Sequence, residues 1–373
     1  MSRLTVKIDT DAITSNVATL VGRTTADVMA VVKANGYGHG LVAAGRAARA
    51  GGATWLGVAQ PHEALELRAS GDEGRILTWL YGPDFPAREL MEAGVDVSVS
   101  SAEVLGEIVA VSRDGASHAG APCPRVHVAV DTGLGREGVT LAELPGLLEL
   151  AKAAEREGLV RVVGMWSHLA WADAPGHPTI DLQAQVFRQA LVIAQQAAIA
   201  LEVRHLANSA CTLTRPDLHF DLVRPGIAVY GLPPVKDPNG KNFGLKPAMS
   251  VTSEIVLVKD VPAGQGVSYG HEYVTIYPTT LGLVNAGYAD GVFRAGGSVA
   301  EVSVRGRRYR IAGRVCMDQF VIDLGPATEV CVGDEVTLIG PDGPSAQDWA
   351  TAVGTIDYEI VCRFGGLRPA SVS

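Results

Sequence analysis

The feature that most constrains the fold is a regular alternation of short apolar runs with helical segments through the first two thirds of the chain. The helical segments cover residues 41–51, 62–70, 102–112, 144–158 and 181–200. The runs predicted as strands are residues 28–32, 54–59, 75–80, 95–99, 125–130, 162–167, 203–207 and 221–225. Strands that alternate with helices favour a parallel sheet, and about eight such units are typical of a (β/α)8 TIM-like barrel.

The pattern changes at residues 232–244, where Pro, Gly, Asn and Lys are concentrated. This composition is typical of a linker. Beyond it, β-rich runs follow one another between turn residues, and one short helix is predicted at residues 345–354. The sequence therefore predicts an α/β fold, with an N-terminal barrel at residues 1–237 and a mainly β C-terminal domain at residues 238–373.

Composition and charge narrow the range of partners. The chain has 373 residues, of which 47% are hydrophobic, and a net charge of -9 without any run of Lys or Arg. An acidic chain of this kind is a poor match for nucleic acid or for an anionic membrane surface. The N-terminus lacks the apolar segment of a signal peptide, and no apolar stretch approaches the length of a membrane span. We therefore predict a cytoplasmic protein.

Cysteine and histidine usage points away from disulfides and metals. The five cysteines are scattered and form no C-x-x-C pair, and the nine histidines lack the spacing of metal ligands. This pattern is typical of a reduced chain. We expect neither a disulfide framework nor a bound metal.

Lys33 is the first candidate for chemistry. It ends the apolar run DVMAVV and is followed by the glycine-rich string ANGYGHG. Barrel active sites lie at the C-terminal ends of the strands. Partial desolvation there would favour the neutral amine, which makes Lys33 a candidate Schiff-base nucleophile. The alternative is a lysine that only extends its ammonium group from a strand end to solvent.

Polar residues follow several of the later predicted strands, at the same predicted face. They are residues 131–136, 167–168, 208–209 and 224–227. In barrels of this type, the loops after strands seven and eight often form a phosphate site. The hydroxyl of Ser209 and the N–H groups of Gly226 and Ile227 would suit one. Taken singly, Arg224 could form a surface ion pair and His168 could pack in the core.

These residues belong to a series of longer motifs. The string AVVKANGYGHG resembles the lysine signature of alanine racemases, which use pyridoxal 5'-phosphate (PLP). The strings DTGLGREG, HLANSA, RPGIAVYG, VSYGHEY, GYADG, RVCMDQ and TIDYE are similar to further motifs of that family, in its order, over residues 30–359. The resemblance implies a cytoplasmic isomerase that interconverts L- and D-alanine and supplies D-alanine for peptidoglycan.

The resemblance also implies residue roles. Lys33 would hold PLP covalently and act as one catalytic base, and Tyr269 would be the other base, on the opposite face of the substrate. Arg224 would bond the pyridine nitrogen of PLP. The residues implied to bind its phosphate are Tyr37, Ser209, Gly226, Ile227 and Tyr358.

Further implied roles surround the substrate. Arg136 would contact the phenolic oxygen of PLP and the substrate, and His168 would lie against the cofactor ring and hydrogen-bond Tyr269. Met317 would offer its backbone N–H to the substrate carboxylate. The residues implied at the entrance are Tyr288, Asp173, Arg294 and Arg314. Because the family forms head-to-tail homodimers, the β domain of one subunit would complete the barrel site of the other.

The chemistry agrees with these roles. Racemisation removes the Cα proton from one face and returns a proton to the other, so two bases of opposite hand are expected. Because an arginine can only donate hydrogen bonds, Arg224 would leave the pyridine nitrogen unprotonated. PLP would then be a weaker electron sink, which disfavours transamination. Arg136 and His168 would help Tyr269 to lose its phenolic proton.

Other functions are weighed on the same residues. A racemase of another small amino acid such as serine is one alternative. A PLP-dependent decarboxylase of related architecture is a second, although such enzymes usually place an acid opposite the pyridine nitrogen. A non-catalytic PLP carrier would not need the β domain with Tyr269. A PLP-free Schiff-base aldolase would not need Tyr358.

One position departs from the family pattern. Many members carry a lysine two residues before the Asp of DTG, and its carbamate orients the arginine, whereas this chain has Ala129 there. Alanine forms no carbamate. An unpaired buried guanidinium is costly, so we expect another anion to balance Arg136. Chloride is the preferred candidate, and the Asp131 carboxylate is the alternative.

Overall fold

The computed structural model describes residues 4–115, 123–237, 239–366 and 371–372. These residues divide into two compact units. The barrel unit comprises Asp11–Gly36 and Leu41–Lys246. The β-rich unit comprises the described residues within Met1–Thr10, Tyr37–Gly40 and Pro247–Ser373. The short segment after Gly36 therefore belongs to the β-rich unit, although both of its neighbours along the chain belong to the barrel unit.

Strands are numbered in chain order from β1 (Thr5–Ile8), which lies in the β-rich unit. The barrel strands are β2 (Asp27–Val31), β3 (Trp55–Val58), β4 (Arg75–Thr78), β5 (Asp96–Val99), β6 (Arg125–Ala129), β7 (Arg161–Trp166), β8 (Val203–His205) and β9 (Leu222–Val223). Strands β3 and β5 are buried at every residue. Burial on both faces explains why β3, with the sequence WLGV, appears as a continuous apolar run. In β5, with the sequence DVSV, the buried residues include the polar Asp96 and Ser98.

Among the described residues of the barrel unit, eight parallel strands follow one another in the order β8-β7-β6-β5-β4-β3-β2-β9. Asp27 of β2 pairs with Leu222 of β9. The N–H of Asp221 donates to the carbonyl of Arg204 at 3.1 Å, and the N–H of Arg224 donates to the carbonyl of Ala207 at 2.8 Å. These bonds join the β9 and β8 segments and close the ring. The predicted (β/α)8 barrel is confirmed.

Helices connect the barrel strands. Their bounds are Thr10–Val21, Leu41–Ala50, Pro61–Ala69, Ala87–Glu92, Ala102–Gly115, Leu144–Arg156, Thr179–Gln196 and Ser209–Thr214, and 3₁₀ turns cover Pro216–Leu218, Ile227–Tyr230 and Asn242–Gly244. Helix Leu144–Arg156 shows the amphipathic spacing, because it buries Leu144, Leu147, Leu148 and Ala151. Residues at this spacing share one face of a helix, which here packs on the core.

The β-rich unit is organised around β10 (Met249–Val261). The first part of β10 pairs antiparallel with β1 and with β17 (Glu335–Ile339), and the second part pairs with β13 (Thr279–Val284). The remaining described strands are β11 (Gly266–Val267), β12 (Tyr273–Val274), β14 (Glu301–Val304), β15 (Arg307–Arg310), β16 (Phe320–Gly325) and β18 (Ser371–Val372). The mainly β character predicted for this part of the chain is confirmed.

Two helices, Ala346–Val353 and Asp357–Gly366, and the 3₁₀ turns Tyr269–His271, Tyr288–Asp290 and Arg294–Gly296 complete the described part of the β-rich unit. The first helix was predicted, and its N-cap Ser345 accepts a hydrogen bond from the N–H of Asp348 at 3.0 Å. The second was not predicted. Its ten residues end in two glycines, so the helical pattern in the sequence is short and weak.

The structure draws the boundary between the two parts differently from the sequence. The sequence assigned residues 1–237 to the barrel, whereas β1 pairs with β10 and, in parallel, with β18. Residues 4–10 therefore belong to the β-rich unit. A strand of four residues carries no signal for the sheet it joins, because that choice depends on partners far along the chain.

The described residues contain neither a membrane-spanning helix nor a cluster of metal ligands. No helix in these ranges combines the length and the apolar character needed to cross a membrane. The same residues bring together no group of three or more His, Cys, Asp or Glu side chains suited to a metal ion.

Candidate active site

Lys33 lies just beyond the C-terminal end of β2, at the start of a left-handed turn. The φ angles of Ala34, Asn35 and Gly36 are 53°, 54° and 61°. This conformation is unfavourable for an alanine, so the surroundings must hold it in place. The Nζ atom of Lys33 lies 5.9 Å from the centre of the Trp79 ring, a distance that suits an ammonium group over an aromatic face.

A buried carboxylate supports the turn after Lys33. Glu63 is 5% exposed and lies in the first turn of helix Pro61–Ala69. Its oxygens accept hydrogen bonds from the N–H groups of Ala34 at 2.5 Å, Ala59 at 3.1 Å and Gln60 at 3.0 Å. Glu63 thus ties the residue after Lys33 to the end of β3. Glu63 was not predicted from the sequence, where its signal was an acidic residue in the first turn of a helix.

Arg224 is buried at the end of β9, with its guanidinium held from several sides. It donates to the carbonyl of Ser167 at 2.6 Å and contacts Nδ1 of His205 at 3.2 Å. Its Cζ atom lies 5.0 Å from the centre of the Trp166 ring. Burial lowers the pKa of Arg224 to about 9, which still leaves the group charged at neutral pH. It is therefore a fixed cation that can only donate hydrogen bonds.

His168 interacts electrostatically with three other predicted site residues of the barrel unit. Its pKa is lowered to about 3, first by burial and then by the charges of Arg224, Arg136 and Lys33. His168 is therefore neutral. Its Nδ1 atom lies 3.4 Å from Nη2 of Arg224, which can only donate, so the ring proton is on Nε2. The charges of three cationic side chains thus act on this one neutral ring, and such a surplus of positive charge favours an anionic ligand.

The predicted phosphate residues of the barrel unit lie together after β8 and β9. Ser209, Gly226 and Ile227 are all buried. The hydroxyl of Ser209 accepts hydrogen bonds from the N–H groups of Gly226 at 2.8 Å and Ala228 at 3.3 Å. Backbone N–H groups that converge on a hydroxyl at the start of a 3₁₀ turn match the donors that a phosphate needs.

The partner of Arg136 is Glu137. The Nη2 atom of Arg136 donates to Glu137 Oε1 at 2.7 Å, and its Nε atom donates to Oε2. Asp131 is occupied otherwise, because its carboxylate accepts from the N–H groups of residues 133–135. The alternative that Asp131 balances Arg136 is therefore wrong. Glu137 and Ala129 line the same small cavity as His168.

The ionisation of Glu137 fits this role. Burial acts to raise its pKa, but the hydrogen bonds and charge of Arg136 outweigh burial, and the pKa lies below its ordinary value. The side chain is 21% exposed and that of Arg136 is 57% exposed. Arg136 therefore has an anionic partner, as expected from the sequence, but that partner is Glu137 and the guanidinium is largely exposed. Glu137 was missed because a carboxylate next to an arginine is most often a solvated surface group.

In the β-rich unit, Tyr269 stands on an exposed turn. Its side chain is 70% exposed within the single chain. The preceding Ser268 has a φ of 60°, and its hydroxyl donates to the carbonyl of Arg314 at 2.7 Å. Arg314 in turn donates to Glu272 at 2.5 Å. The turn that carries Tyr269 is thus fixed to the segment with Arg314, while the phenol itself faces outward.

Met317 and Tyr288 lie on two loops that bond to each other. The N–H of Tyr288 donates to the carbonyl of Cys316 at 3.0 Å, and the N–H of Ala289 donates to the carbonyl of Met317 at 2.9 Å. A Cβ atom at Gly287 would lie 2.2 Å from the Met317 carbonyl oxygen, so this approach requires glycine. The structure therefore places Met317 and Tyr288 side by side.

The remaining entrance residues are exposed. Asp173 lies in the loop after β7 in the barrel unit. Arg294 begins a 3₁₀ turn in the β-rich unit, and its charge, after the hydrogen bond and charge of Arg314, contributes to the low pKa of Glu272 against the effect of burial. The charges of Arg294 and Arg314 thus both act on one carboxylate, that of Glu272.

Tyr37 and Tyr358 meet in the β-rich unit. Their ring centres are 6.1 Å apart. The pKa of Tyr37 is raised, first by burial and then by Tyr358 and Cys362, so its phenol keeps its proton. A Cβ atom at Gly38 would lie 2.5 Å from the Val361 carbonyl oxygen. Gly38 therefore has to be glycine for the segment after Lys33 to pack on helix Asp357–Gly366.

Comparison with known proteins decides the family. Residues 8–234 match the family model described as alanine racemase, N-terminal domain, and residues 248–371 match alanine racemase, C-terminal domain. The chain belongs to the alanine racemase family. The enzyme is an amino-acid racemase of a PLP-dependent family, so the family predicted from the motif series is confirmed. The decarboxylase, aldolase and carrier alternatives are set aside.

Individual relatives agree over the whole length of the racemase. An alanine racemase from Salinispora tropica is 52% identical over 366 residues, which cover 97% of this chain and 96% of that protein. The structure of alanine racemase from D-cycloserine producing Streptomyces lavendulae has a TM-score of 0.95 at 48% identity, covering 100% of this chain and 97% of that one. The structure from Corynebacterium glutamicum has a TM-score of 0.87 at 37% identity, with both chains covered to 100%.

Proposed function

We propose that the racemase interconverts L- and D-alanine with PLP held by Lys33, and that Lys33 and Tyr269 are its two bases. The observation that carries this proposal is the convergence of the charges of Lys33, Arg136 and Arg224 on His168. A cluster of cations around a neutral ring suits PLP, which is an anion with a phosphate at one end and a pyridine nitrogen in its ring.

The donors of the barrel unit fit each part of PLP. Ser209, Gly226 and Ile227 would donate O–H and N–H groups to the phosphate, with the N–H of Gly226 exchanging its bond to the Ser209 hydroxyl for one to a phosphate oxygen. Arg224 would donate to the pyridine nitrogen. Lys33 supplies the amine for covalent attachment. When bound, PLP withdraws electrons from the substrate and so weakens its Cα–H bond.

Proton transfer is then the task of the side chains. Lys33 would take the Cα proton from the D form and Tyr269 from the L form, each on its own face. The neutral His168 has its proton on Nε2, so it can donate to the phenolic oxygen of Tyr269 and stabilise it after proton loss. Arg136, fixed by Glu137, would hold the phenolic oxygen of PLP and the substrate.

The proposal includes a homodimer in which Tyr269 of each subunit serves the barrel unit of the other. Mixing a Lys33→Ala subunit with a Tyr269→Phe subunit should then regenerate one intact site in each mixed dimer. Because half of the dimers are mixed after random exchange, about a quarter of the wild-type racemase activity should return. The assay is racemisation after unfolding and refolding the two variants together. Recovery no greater than the sum of the separate variants would contradict a shared site.

We also propose that Glu137 replaces the carbamate that Ala129 cannot form. Wild-type activity should then be the same in chloride and in a bulky anion at constant ionic strength, and without bicarbonate. Glu137→Ala should lower kcat/KM about tenfold, the effect of losing one charge-assisted hydrogen-bonded pair. Added chloride should restore part of that loss.

A matched control separates this effect from a change in net charge. Glu149→Ala removes a carboxylate from the exposed face of helix Leu144–Arg156 and should leave kcat/KM unchanged. A wild-type enzyme that loses activity when chloride is replaced would instead support a bound chloride.

The cellular role remains a prediction. If the racemase is the cytoplasmic source of D-alanine for peptidoglycan, its gene should rescue a bacterial strain that requires D-alanine for growth. Rescue by the wild-type gene and not by Lys33→Ala would tie growth to racemisation. A substrate panel that includes serine tests the preference for alanine in the same preparation.

A further inference from the structure

A line of buried polar side chains extends from Arg224 through the inside of the barrel unit. Arg224 follows β9, His205 ends β8, His127 lies in the middle of β6 and Asp96 begins β5. Asp96, His127 and His205 are 0% exposed, and Arg224 is 6% exposed. The line therefore leads from the C-terminal ends of the strands, where the candidate site lies, to their N-terminal ends.

Each member of the line contacts the next. The distances are 3.2 Å from Arg224 Nη1 to His205 Nδ1, 2.9 Å from His205 Nε2 to His127 Nδ1, and 3.1 Å from His127 Nε2 to Asp96 Oδ2. A Cβ atom on the neighbouring strand at Gly164 would lie 2.1 Å from His127 Nδ1. The barrel thus makes room for His127 by having no side chain there.

The acidic end of the line is fixed by two arginines. Asp96 accepts from Arg75 Nη2 at 2.5 Å and from Arg125 Nε at 2.8 Å. Burial acts to raise the pKa of Asp96, but His127 and then Arg75 outweigh burial, and the pKa lies below its ordinary value. Asp96 is therefore an ionised carboxylate that can only accept hydrogen bonds.

The two ends dictate every hydrogen position between them. Because Arg224 only donates, His205 Nδ1 must accept, and the proton of a neutral His205 is then on Nε2. That proton points at His127 Nδ1, so the proton of His127 is on Nε2 and points at Asp96. If His127 also carried a proton on Nδ1, His205 would have to accept it at Nε2 and carry its own proton on Nδ1. That proton would face the N–H of Arg224, and the contact would have two donors and no acceptor.

The surroundings of His205 agree with a neutral ring. Burial, then the charge of Arg224 and the neighbouring His127, hold its pKa well below the ordinary value. The ring of Trp166 lies parallel to that of His205, at 6.0 Å between centres, and the ring of Trp55 meets His127 edge-on at 5.5 Å. Each imidazole thus packs against a tryptophan ring, which restricts its tilt.

We propose that Asp96 and His127 are positioning residues for Arg224: through His205 they set one direction of hydrogen bonding, which keeps an acceptor facing the guanidinium and fixes it for the pyridine nitrogen of PLP. The last step rests on the proposed function of Arg224. The direction of hydrogen bonding does not, because it follows from contacts within the barrel unit alone. Asp96 and His127 would therefore act on the reaction without touching PLP or substrate.

Neutron diffraction from deuterated crystals of the PLP-loaded enzyme tests the hydrogen positions directly. We expect deuterium on Nε2 of His205 and of His127, and none on either Nδ1 or on Asp96. Deuterium on Nδ1 of either ring overturns the proposal, whatever the activity of the enzyme. This measurement needs no variant, so it decides the question even if a substitution in the line fails to fold.

The effect on Arg224 is tested with His127→Phe, which keeps a flat ring and removes both hydrogen bonds. The readouts are the PLP dissociation constant and the pyruvate released by transamination per racemisation turnover. Both should rise about tenfold, the value of one buried hydrogen bond. His219→Phe is the control, because His219 is also buried in the barrel unit but bonds to Thr24 and Thr212 instead. It should change neither the PLP dissociation constant nor the pyruvate released per turnover.

Two outcomes separate this inference from the proposed function. A His127→Phe enzyme with unchanged PLP affinity and unchanged transamination overturns the positioning role. If Arg224→Lys also leaves the PLP dissociation constant and transamination unchanged, the role proposed for Arg224 is wrong. The inference then fails only in its last step, from Arg224 to PLP, and the direction of hydrogen bonding from Asp96 to Arg224 is unaffected.

Discussion

A Lys33→Ala variant is expected to lose both racemisation and covalent PLP. Removing one general base costs about 10²–10⁴-fold in rate, and the loss of covalent attachment adds to this. Lys33 is the lysine at the C-terminal end of a barrel strand, and its charge acts on His168 together with those of Arg136 and Arg224. Borohydride reduction of the wild type followed by mass spectrometry should find the pyridoxyl group on the peptide that contains Lys33.

Two other lysines serve as controls for this assignment. Lys246 and Lys259 are exposed, and their replacement by alanine should leave activity and the visible absorption of bound PLP unchanged. A pyridoxyl adduct on either of them, with Lys33 unmodified, would overturn the assignment.

The second large effect is expected for Tyr269→Phe. Phenylalanine keeps the ring and removes the group that exchanges the proton, so racemisation should fall about 10²–10⁴-fold while PLP remains bound. Because Lys33 would still act on its own face, exchange of the Cα proton of D-alanine with solvent should persist. Nuclear magnetic resonance in D₂O measures that exchange for each enantiomer separately.

Tyr277→Phe is the matched control for Tyr269. Tyr277 is also an exposed tyrosine of the β-rich unit, at 48% exposure, and its phenol has no proposed role. Its replacement should change neither racemisation nor exchange. Equal rates in Tyr269→Phe and wild type would show that the second base is another residue.

The barrel could be predicted from the sequence because most of its strands are short runs of mainly apolar residues that are buried on both faces. That pattern needs no knowledge of distant partners. β1 could not be assigned in this way, since its sheet is set by pairing with Met249–Val261. Helix Asp357–Gly366 escaped prediction for a different reason, because its apolar face is short and it ends in two glycines.

In the candidate site, too, residues in local motifs could be predicted from the sequence, whereas the partners that contact them in the fold could not. The motifs predicted Lys33, His168 and Arg224 at strand ends. In the structure, the charges of Lys33, Arg224 and Arg136 all act on the imidazole of His168. The partners that hold these residues were not found, because Glu63 and Glu137 resemble ordinary solvated carboxylates in the sequence. Their roles depend on which backbone N–H groups and cations lie opposite them in the folded chain.

The sequence contains a signal for the buried histidines of the barrel, although their pairing was not predicted from it. His127 and His205 each interrupt an apolar strand, and a polar residue in such a position needs a buried partner. The sequence could not say that they pair with each other, because they lie on β6 and β8, which are not adjacent in the ring. That pairing depends on the radius and tilt of the closed barrel.

The pairing of β1 has a consequence for synthesis of the chain on the ribosome. β1 emerges before the barrel unit, but its partner β10 is translated about 240 residues later. At roughly 5–20 residues per second, β1 must wait on the order of 10–50 s without its sheet. All residues of the barrel unit emerge during that interval. A nascent racemase therefore carries β1 without its partner strand until residues 249–261 have been made. We expect chaperone binding to β1 to be strongest during this interval.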